Sequence, residues 1–228
     1  MKKASFFLLL IFCSLLLAPA ASAEVKETDG GIFYSVTDGA VTVEGFNAAG
    51  TVMRVPAEID GLPVRYVAER ACYGDAVLTE VHLPDTIVSI GEYAFSQCED
   101  LKKVTIGGCG TIGFAAFRNS KQLRSVTLPL GLTAIEDEAF FGCARLGKTK
   151  IPASLQVIGV DAFAGCEQLY LDVSENAYAA RYAEENRIPT SFTETFTFTV
   201  LIWILITVLL GGLLWLGYRF LRKRRPRA

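Results

Sequence analysis

Residues 78–168 read LTEVHLPDTIVSIGEYAFSQCED, LKKVTIGGCGTIGFAAFRNSKQ, LRSVTLPLGLTAIEDEAFFGCAR and LGKTKIPASLQVIGVDAFAGCEQ, four segments opening at Leu78, Leu101, Leu123 and Leu146 with a period of 22 or 23 residues. The first fills its recurring columns with Leu78, Val81, Leu83, Ile87, Ile90, Ala94, Phe95 and Cys98, and across the four segments only Ser120 and Thr149 break the apolar pattern. The opening Leu78, Val81, Leu83 ends in the alternation of a short strand, which proline stops in three segments of four. The later Ala94, Phe95, Cys98, Leu101 changes to spacings of three and four, the period of a helical turn. One coil is therefore expected to hold one strand and one turn of helix. No coil can bury its apolar columns alone, so the coils must stack, about 4.8 Å apart, with strands in a parallel sheet and Phe and Ile in ladders inside.

The flanks supply what a stack of coils needs at its ends. Asp38 and Gly39 predict a hairpin between Ile32 to Thr37 and Ala40 to Phe46, and a degenerate coil follows from Val52 to Val77, with Cys72 where later coils have Phe. Beyond the last repeat, Leu169 to Val173 reads as a final strand and NAYAARYAEEN from Asn176 as an amphipathic capping helix ending before Ile188 and Pro189. The second repeat is one residue short around Gly107, Gly108, Cys109 and Gly110, and a local irregularity is expected there.

The repeat, with AF at 94–95, 116–117, 139–140 and 162–163 and Cys98, Cys143 and Cys166 behind it, resembles the bacterial surface-type, BspA-like leucine-rich repeats over residues 32–192. The resemblance implies an α/β leucine-rich-repeat solenoid. A parallel β-sheet forms one face and short helical turns the other, between an N-terminal β-hairpin cap and a C-terminal helical cap. It also implies a binding role, including adhesion to host or matrix proteins or to other cells.

Composition adds the ends. The chain of 228 residues is 51% hydrophobic and 20% charged, too apolar for an ordinary soluble domain. Lys2 and Lys3, the apolar run Phe6 to Leu17 and the small residues Ala21, Ser22 and Ala23 predict a cleaved signal peptide over 1–23. Between Glu194 and Arg219 lie 24 uncharged residues, enough for a helix of about 36 Å. Trp203 stands near one end, Trp215 and Tyr218 near the other, and a basic tail follows. The expected organisation is a hairpin cap and degenerate coil (24–77), four repeats (78–168), a strand and capping helix (169–192), a short linker (193–199), a transmembrane helix (196–218) and a cytoplasmic tail (219–228). The protein is thus expected in the cell membrane as a single-pass protein, its N-terminus extracytoplasmic.

Two of the 22 Lys and Arg precede Ala4 and six follow Tyr218, leaving 14 against all 24 Asp and Glu, so the middle of the chain carries a net charge of −10. A nucleic-acid partner is excluded by that sign. His82 is the one histidine, which removes histidine pairs and triads, and no nucleophile, base and stabiliser come together in the pattern. No catalytic role, cofactor or metal is expected. Cys72, Cys98, Cys109, Cys143 and Cys166 sit in core columns and read as buried, reduced thiols.

The strand register aims the remaining polar residues to one side. Glu80 and His82, then Lys102, Lys103 and Thr105, then Arg124 and Thr127, then Lys148 and Lys150 form the candidate binding face, while the turn side carries Glu92, Glu99, Asp100, Glu136, Asp137, Glu138, Asp161 and Glu167. A face so polarised suits a protein or an anionic envelope polymer or glycan close to the membrane. The competing reading is that exposed strands use Lys to prevent edge pairing and to keep the domain soluble.

Overall fold

The computed structural model describes residues 24–47, 50–191 and 202–209. A short strand β1 (Lys26–Glu27) pairs antiparallel with β2 (Ile32–Thr37), which forms a hairpin with β3 (Ala40–Phe46). Asp38 (φ 53°) and Gly39 (φ 72°) both take the left-handed conformation that a two-residue hairpin turn demands. The degenerate coil follows as β4 (Val52–Arg54), β5 (Glu58–Ile59) and β6 (Leu62–Val67).

Each later coil then contributes two strands. The first series is β7 (Glu80–Leu83), β9 (Lys103–Ile106), β11 (Ser125–Thr127), β13 (Lys148–Lys150) and β15 (Tyr170–Asp172). The second is β8 (Ser89–Ile90), β10 (Thr111–Ile112), β12 (Ala134–Ile135) and β14 (Val157–Ile158). Strands β4, β7, β9 and β11 form one parallel sheet, and β13 pairs parallel with β15. The second series extends the hairpin sheet in the order β3, β6, β8, β10, β12, β14. The fold is a leucine-rich-repeat β-solenoid of about six turns with few helices.

One expectation needs correction here. The AF segment holds no helical turn, and the two-residue strands of the second ladder were not foreseen. In each turn, alternate N–H groups serve different partners: Phe95 donates to Ala116 in the next coil (2.7 Å), whereas Ser96 reaches back to Tyr93 (3.0 Å). Arg70, Tyr93, Ala115, Glu138 and Asp161 take positive φ at one column, and Gly74, Gln97, Asn119, Gly142 and Gly165 at another four residues on. Left-handed residues at that interval are incompatible with a right-handed helix. Backbone polar groups in the turns are thus shared between bonds within the turn and bonds to the next coil, which is how the turns satisfy them without a helix.

Phe95, Phe117, Phe140 and Phe163 stack with ring centroids 5.4, 5.1 and 5.2 Å apart and planes within 8° of parallel, and Tyr182 closes the stack edge-on at 6.3 Å. Among the repeat columns, Leu128 and Cys166 alone are partly exposed; the rest are buried. The missing residue of the second repeat leaves the registers of β9 intact, because Gly107 and Gly108 lie flat on the preceding coil. A Cβ on Gly108 would stand 2.0 Å from the Asp85 carbonyl oxygen.

At the far end, helix α1 (Ala177–Glu185) covers the last coil. Asn176, its N-cap, accepts from the Ala179 N–H and donates to the carbonyls of Pro152 and Leu155, all at 2.9 Å. Tyr178 accepts the Ile158 N–H through its hydroxyl (3.1 Å). After α1 the chain returns to the strand face, where Leu171 donates to the Pro189 carbonyl (2.9 Å) and bridges in parallel to Thr190. Among the described residues no helix is long and apolar enough to cross a membrane. Residues 202–209 are helical and exposed; the signal peptide 1–23, the rest of the expected span 196–218 and the tail 219–228 lie outside the described residues.

Candidate functional site

The strand register sets the candidate face in rows. Val52, Glu80, Lys103 and Ser125 stand side by side, as do Arg54, His82, Thr105 and Thr127. Lys148 pairs with Tyr170 and Lys150 with Asp172 in the adjoining ladder. Lys102 and Arg124 precede β9 and β11 at equivalent positions, joined by the Arg124 N–H on the Lys102 carbonyl at 2.9 Å. The alternation predicted from sequence thus brings Glu80, His82, Lys103, Thr105, Thr127, Lys148 and Lys150 to one side of the solenoid, with Lys102 and Arg124 exposed just ahead of β9 and β11, and adds Arg54, Tyr170 and Asp172, which sequence reasoning missed.

Their charges are not alike. Lys148 lies 3.6 Å from Asp172 and 5.8 Å from the centre of the Tyr170 ring, and Lys150 lies 3.0 Å from Glu175. The hydrogen bond from Lys150 to Glu175 raises its ammonium pKa. Asp172 accepts from the Ser174 and Ser191 hydroxyls, and chiefly the Ser174 bond holds its carboxyl below the usual range. Glu80 sits 3.3 Å from His82. Lys102, Lys103 and Arg124, by contrast, are exposed and meet no carboxylate among the described residues. The turn side is less uniformly acidic than its sequence suggests, since Arg70 and Arg118 stand within it, Arg118 ion-paired with Glu138 and 4.6 Å over the Phe141 ring.

The ladder under this face is interrupted. The Gly147 N–H reaches the Arg124 carbonyl (3.1 Å), but among the described residues no further backbone hydrogen bond joins these two coils until the Gln156 N–H meets Thr133 (2.9 Å). Strands β11 and β13 therefore run unpaired along their shared border. The column that holds Val81, Val104 and Val126 holds Thr149 here, whose hydroxyl turns to the Gly147 carbonyl (3.3 Å). A groove of about 440 Å³ opens at this border, lined by Val126, Leu128, Leu130, Lys148, Pro152 and Asp172 among others.

The cysteines are part of the frame. Cys98, Cys143 and Cys166 donate their thiols to the carbonyls of Cys72, Phe117 and Phe140 in the preceding coil, each at 3.1 Å. Burial pushes Cys98 and Cys166 up to about 12 and Cys109 to about 11, and raises Cys72 and Cys143 as well. Such thiols are poor nucleophiles. Among the described residues no three His, Cys, Asp or Glu side chains gather to hold a metal ion.

Stacked coils of this period, with paired turns on one side and a polar strand face on the other, define a leucine-rich-repeat solenoid. The chain belongs to the BspA type leucine rich repeat family, whose repeat matches six times over residues 63–182. It is similar to the leucine rich repeat protein of T. pallidum, with 31% identity and a TM-score of 0.60 over 64% of this chain and 71% of that one. It is also similar to a leucine-rich repeat protein from Bacteroides ovatus, with 33% identity and a TM-score of 0.55 over 62% of this chain but only 39% of the other. No curated protein matches the chain.

Proposed function

We propose that this protein is a binding module of the cell envelope, anchored by the segment 196–218 with its solenoid outside, and that it takes its partner on the face formed by β7, β9, β11 and β13. The observation that carries this reading is the exposed set Lys102, Lys103 and Arg124, which meets no carboxylate among the described residues, in a chain whose middle is otherwise net negative. Charge left uncompensated on a flat sheet attracts an anionic surface and orients it on approach. The family supports a protein-interaction or surface role. Closeness to the membrane is supported by the tether: Pro189 and Thr190 are bound to β15, so only residues 192–195 separate the solenoid from the proposed span, a reach of about 14 Å at full extension.

Two measurements test it. Triple replacement of Lys102, Lys103 and Arg124 by Ser should weaken retention of the full chain on heparin, used as a model polyanion, by about tenfold or more at low salt; unchanged retention removes the charged face. A tag near Glu24, probed by antibody on intact cells and on cells stripped of wall or outer membrane, addresses position. Access only after stripping agrees with a membrane-proximal partner, while access on intact cells favours an adhesin that binds host or matrix proteins. Protection in both removes the outward topology.

A further inference from the structure

The border between β11 and β13 differs from every other border in the repeats. Elsewhere on this face, neighbouring coils are sewn together strand to strand; here the sewing stops after Gly147, and although Val126 and Ile151 stay buried, Leu128 at the end of the border is partly exposed. Leu130 is the sharper anomaly. It stands 83% exposed at a loop position that other coils fill with Asp85 or Ala153. With the partly exposed Leu128 it is the accessible apolar lining of the groove, which Lys148, Lys150 and Asp172 also line, while Val126 and Pro152 are buried at its floor. Ser125, also in the lining, is next in sequence to Arg124 and directly across the ladder from Lys103.

We infer that this groove seats an acidic peptide segment of a partner protein, with one apolar side chain held against Leu128 and Leu130 and flanking carboxylates on Lys103 and Arg124. The inference rests on the binding face proposed above and narrows it to one place and one class of partner. A charged polysaccharide would be met by the lysines and the arginine but has nothing to set against Leu128 and Leu130. A purely apolar ligand would leave Lys103 and Arg124 without use. Lys148 and Lys150 already face Asp172 and Glu175, which leaves Lys103 and Arg124, without a carboxylate among the described residues, to choose the partner. The solvated leucine supplies the specificity, since burying it gains free energy only when the partner brings an apolar group of its own.

The experiment uses the full chain in detergent and a fluorescent, capped peptide with one leucine between two short runs of aspartate, followed by anisotropy. The leucine peptide should bind about tenfold more tightly than its alanine counterpart. Leu130→Ser should erase that difference while leaving the alanine peptide and the thermal midpoint unchanged, the side chain being solvent-exposed. Ser replacement of Lys103 and Arg124 should weaken both peptides. Equal binding of the two peptides, or indifference to Leu130→Ser, overturns the groove. If that indifference comes with a loss of binding in the Lys103 and Arg124 variant, and polyphosphate competes as well as the peptides, the charged face stands and its partner is an anionic polymer. If the Lys103 and Arg124 variant binds both peptides and polyphosphate like the parent, the face itself is wrong.

Discussion

The Ser120 hydroxyl donates to the Phe95 carbonyl at 2.8 Å, the same cross-coil bond that Cys98, Cys143 and Cys166 make with their thiols. The column is therefore one of small side chains that donate inward, and the serine fits it as well as the cysteines do. It also accepts the Cys98 N–H at 3.3 Å. Ser120→Ala leaves a buried carbonyl and a buried N–H without these partners and should cost about 1–3 kcal/mol. Ser120→Cys, which restores the donor, should recover most of that loss. Urea unfolding midpoints of the purified chain under reducing conditions check both; an alanine variant as stable as the parent would remove the hydrogen-bond account of the column.

The same burial makes stability depend on alkaline pH. A thiol is an acid whose ordinary pKa is about 9; in the folded chain Cys98 and Cys166 titrate near 12 and Cys109 near 11, because burial disfavours the thiolate. Between those values the unfolded chain has released protons that the folded chain retains. Stability therefore falls as pH rises through 9, by at most about 1.4 kcal/mol per pH unit for each such thiol, and the loss levels off above the folded pKa. Cys98→Ser, which keeps a donor but does not titrate, should flatten the slope of the urea midpoint between pH 8.5 and 10.5. An unchanged slope would mean that the Cys98 thiol contributes nothing to the alkaline loss and is not held protonated by burial.

Side-chain periodicity exposes what faces the core, and little else. The columns through Phe95 and Ile90 and the Asp38-Gly39 hairpin were legible because burial alternation and turn chemistry leave a mark at each position. The turn resembles a helix in sequence because Ala94, Phe95, Cys98 and Leu101 have the spacing of one, while the distinguishing positive φ falls on Tyr93, Ala115, Glu138 and Asp161, none of them glycine. The rows of the face followed from the alternation, but the ion pairs did not. Asp172 and Glu175 lie past the last full repeat, where no column predicts their partners. The interrupted ladder did leave a trace in Thr149 and Gly147, polar or bare where other coils offer Val and a Thr79, Lys102 or Arg124 side chain, yet only backbone hydrogen bonding turns that trace into a groove.

Close stacking also fixes the cost of one methyl group. Gly108 and Gly131 occupy the loop that follows β9 and β11 respectively, and only the first lies against a neighbouring backbone. Gly108→Ala must push the coil away from Asp85 and should destabilise by about 1–3 kcal/mol. Gly131 has open space and an ordinary φ, so Gly131→Ala should be neutral or stabilise by up to about 1 kcal/mol through the unfolded chain. Thermal midpoints moving in parallel for the two variants would mean that the shortened second repeat does not ride on the first as described.

Asn176 decides how the solenoid is closed. Its amide is buried and makes three hydrogen bonds, two outward to Pro152 and Leu155 and one inward to the first turn of α1. An aspartate would serve the helix cap equally well but would turn an acceptor toward two carbonyl acceptors. Asn176→Asp should therefore be at least as damaging as Asn176→Ala, about 2–4 kcal/mol, although aspartate and asparagine are near equals at ordinary N-caps. Hydrogen exchange should localise the effect to α1 and the coil from Pro152 to Ile158, with the hairpin sheet protected as before. If Asn176→Asp matches the parent while Asn176→Ala does not, the residue is a helix cap and nothing more, and the end of the solenoid is held by Tyr178 and Tyr182 instead.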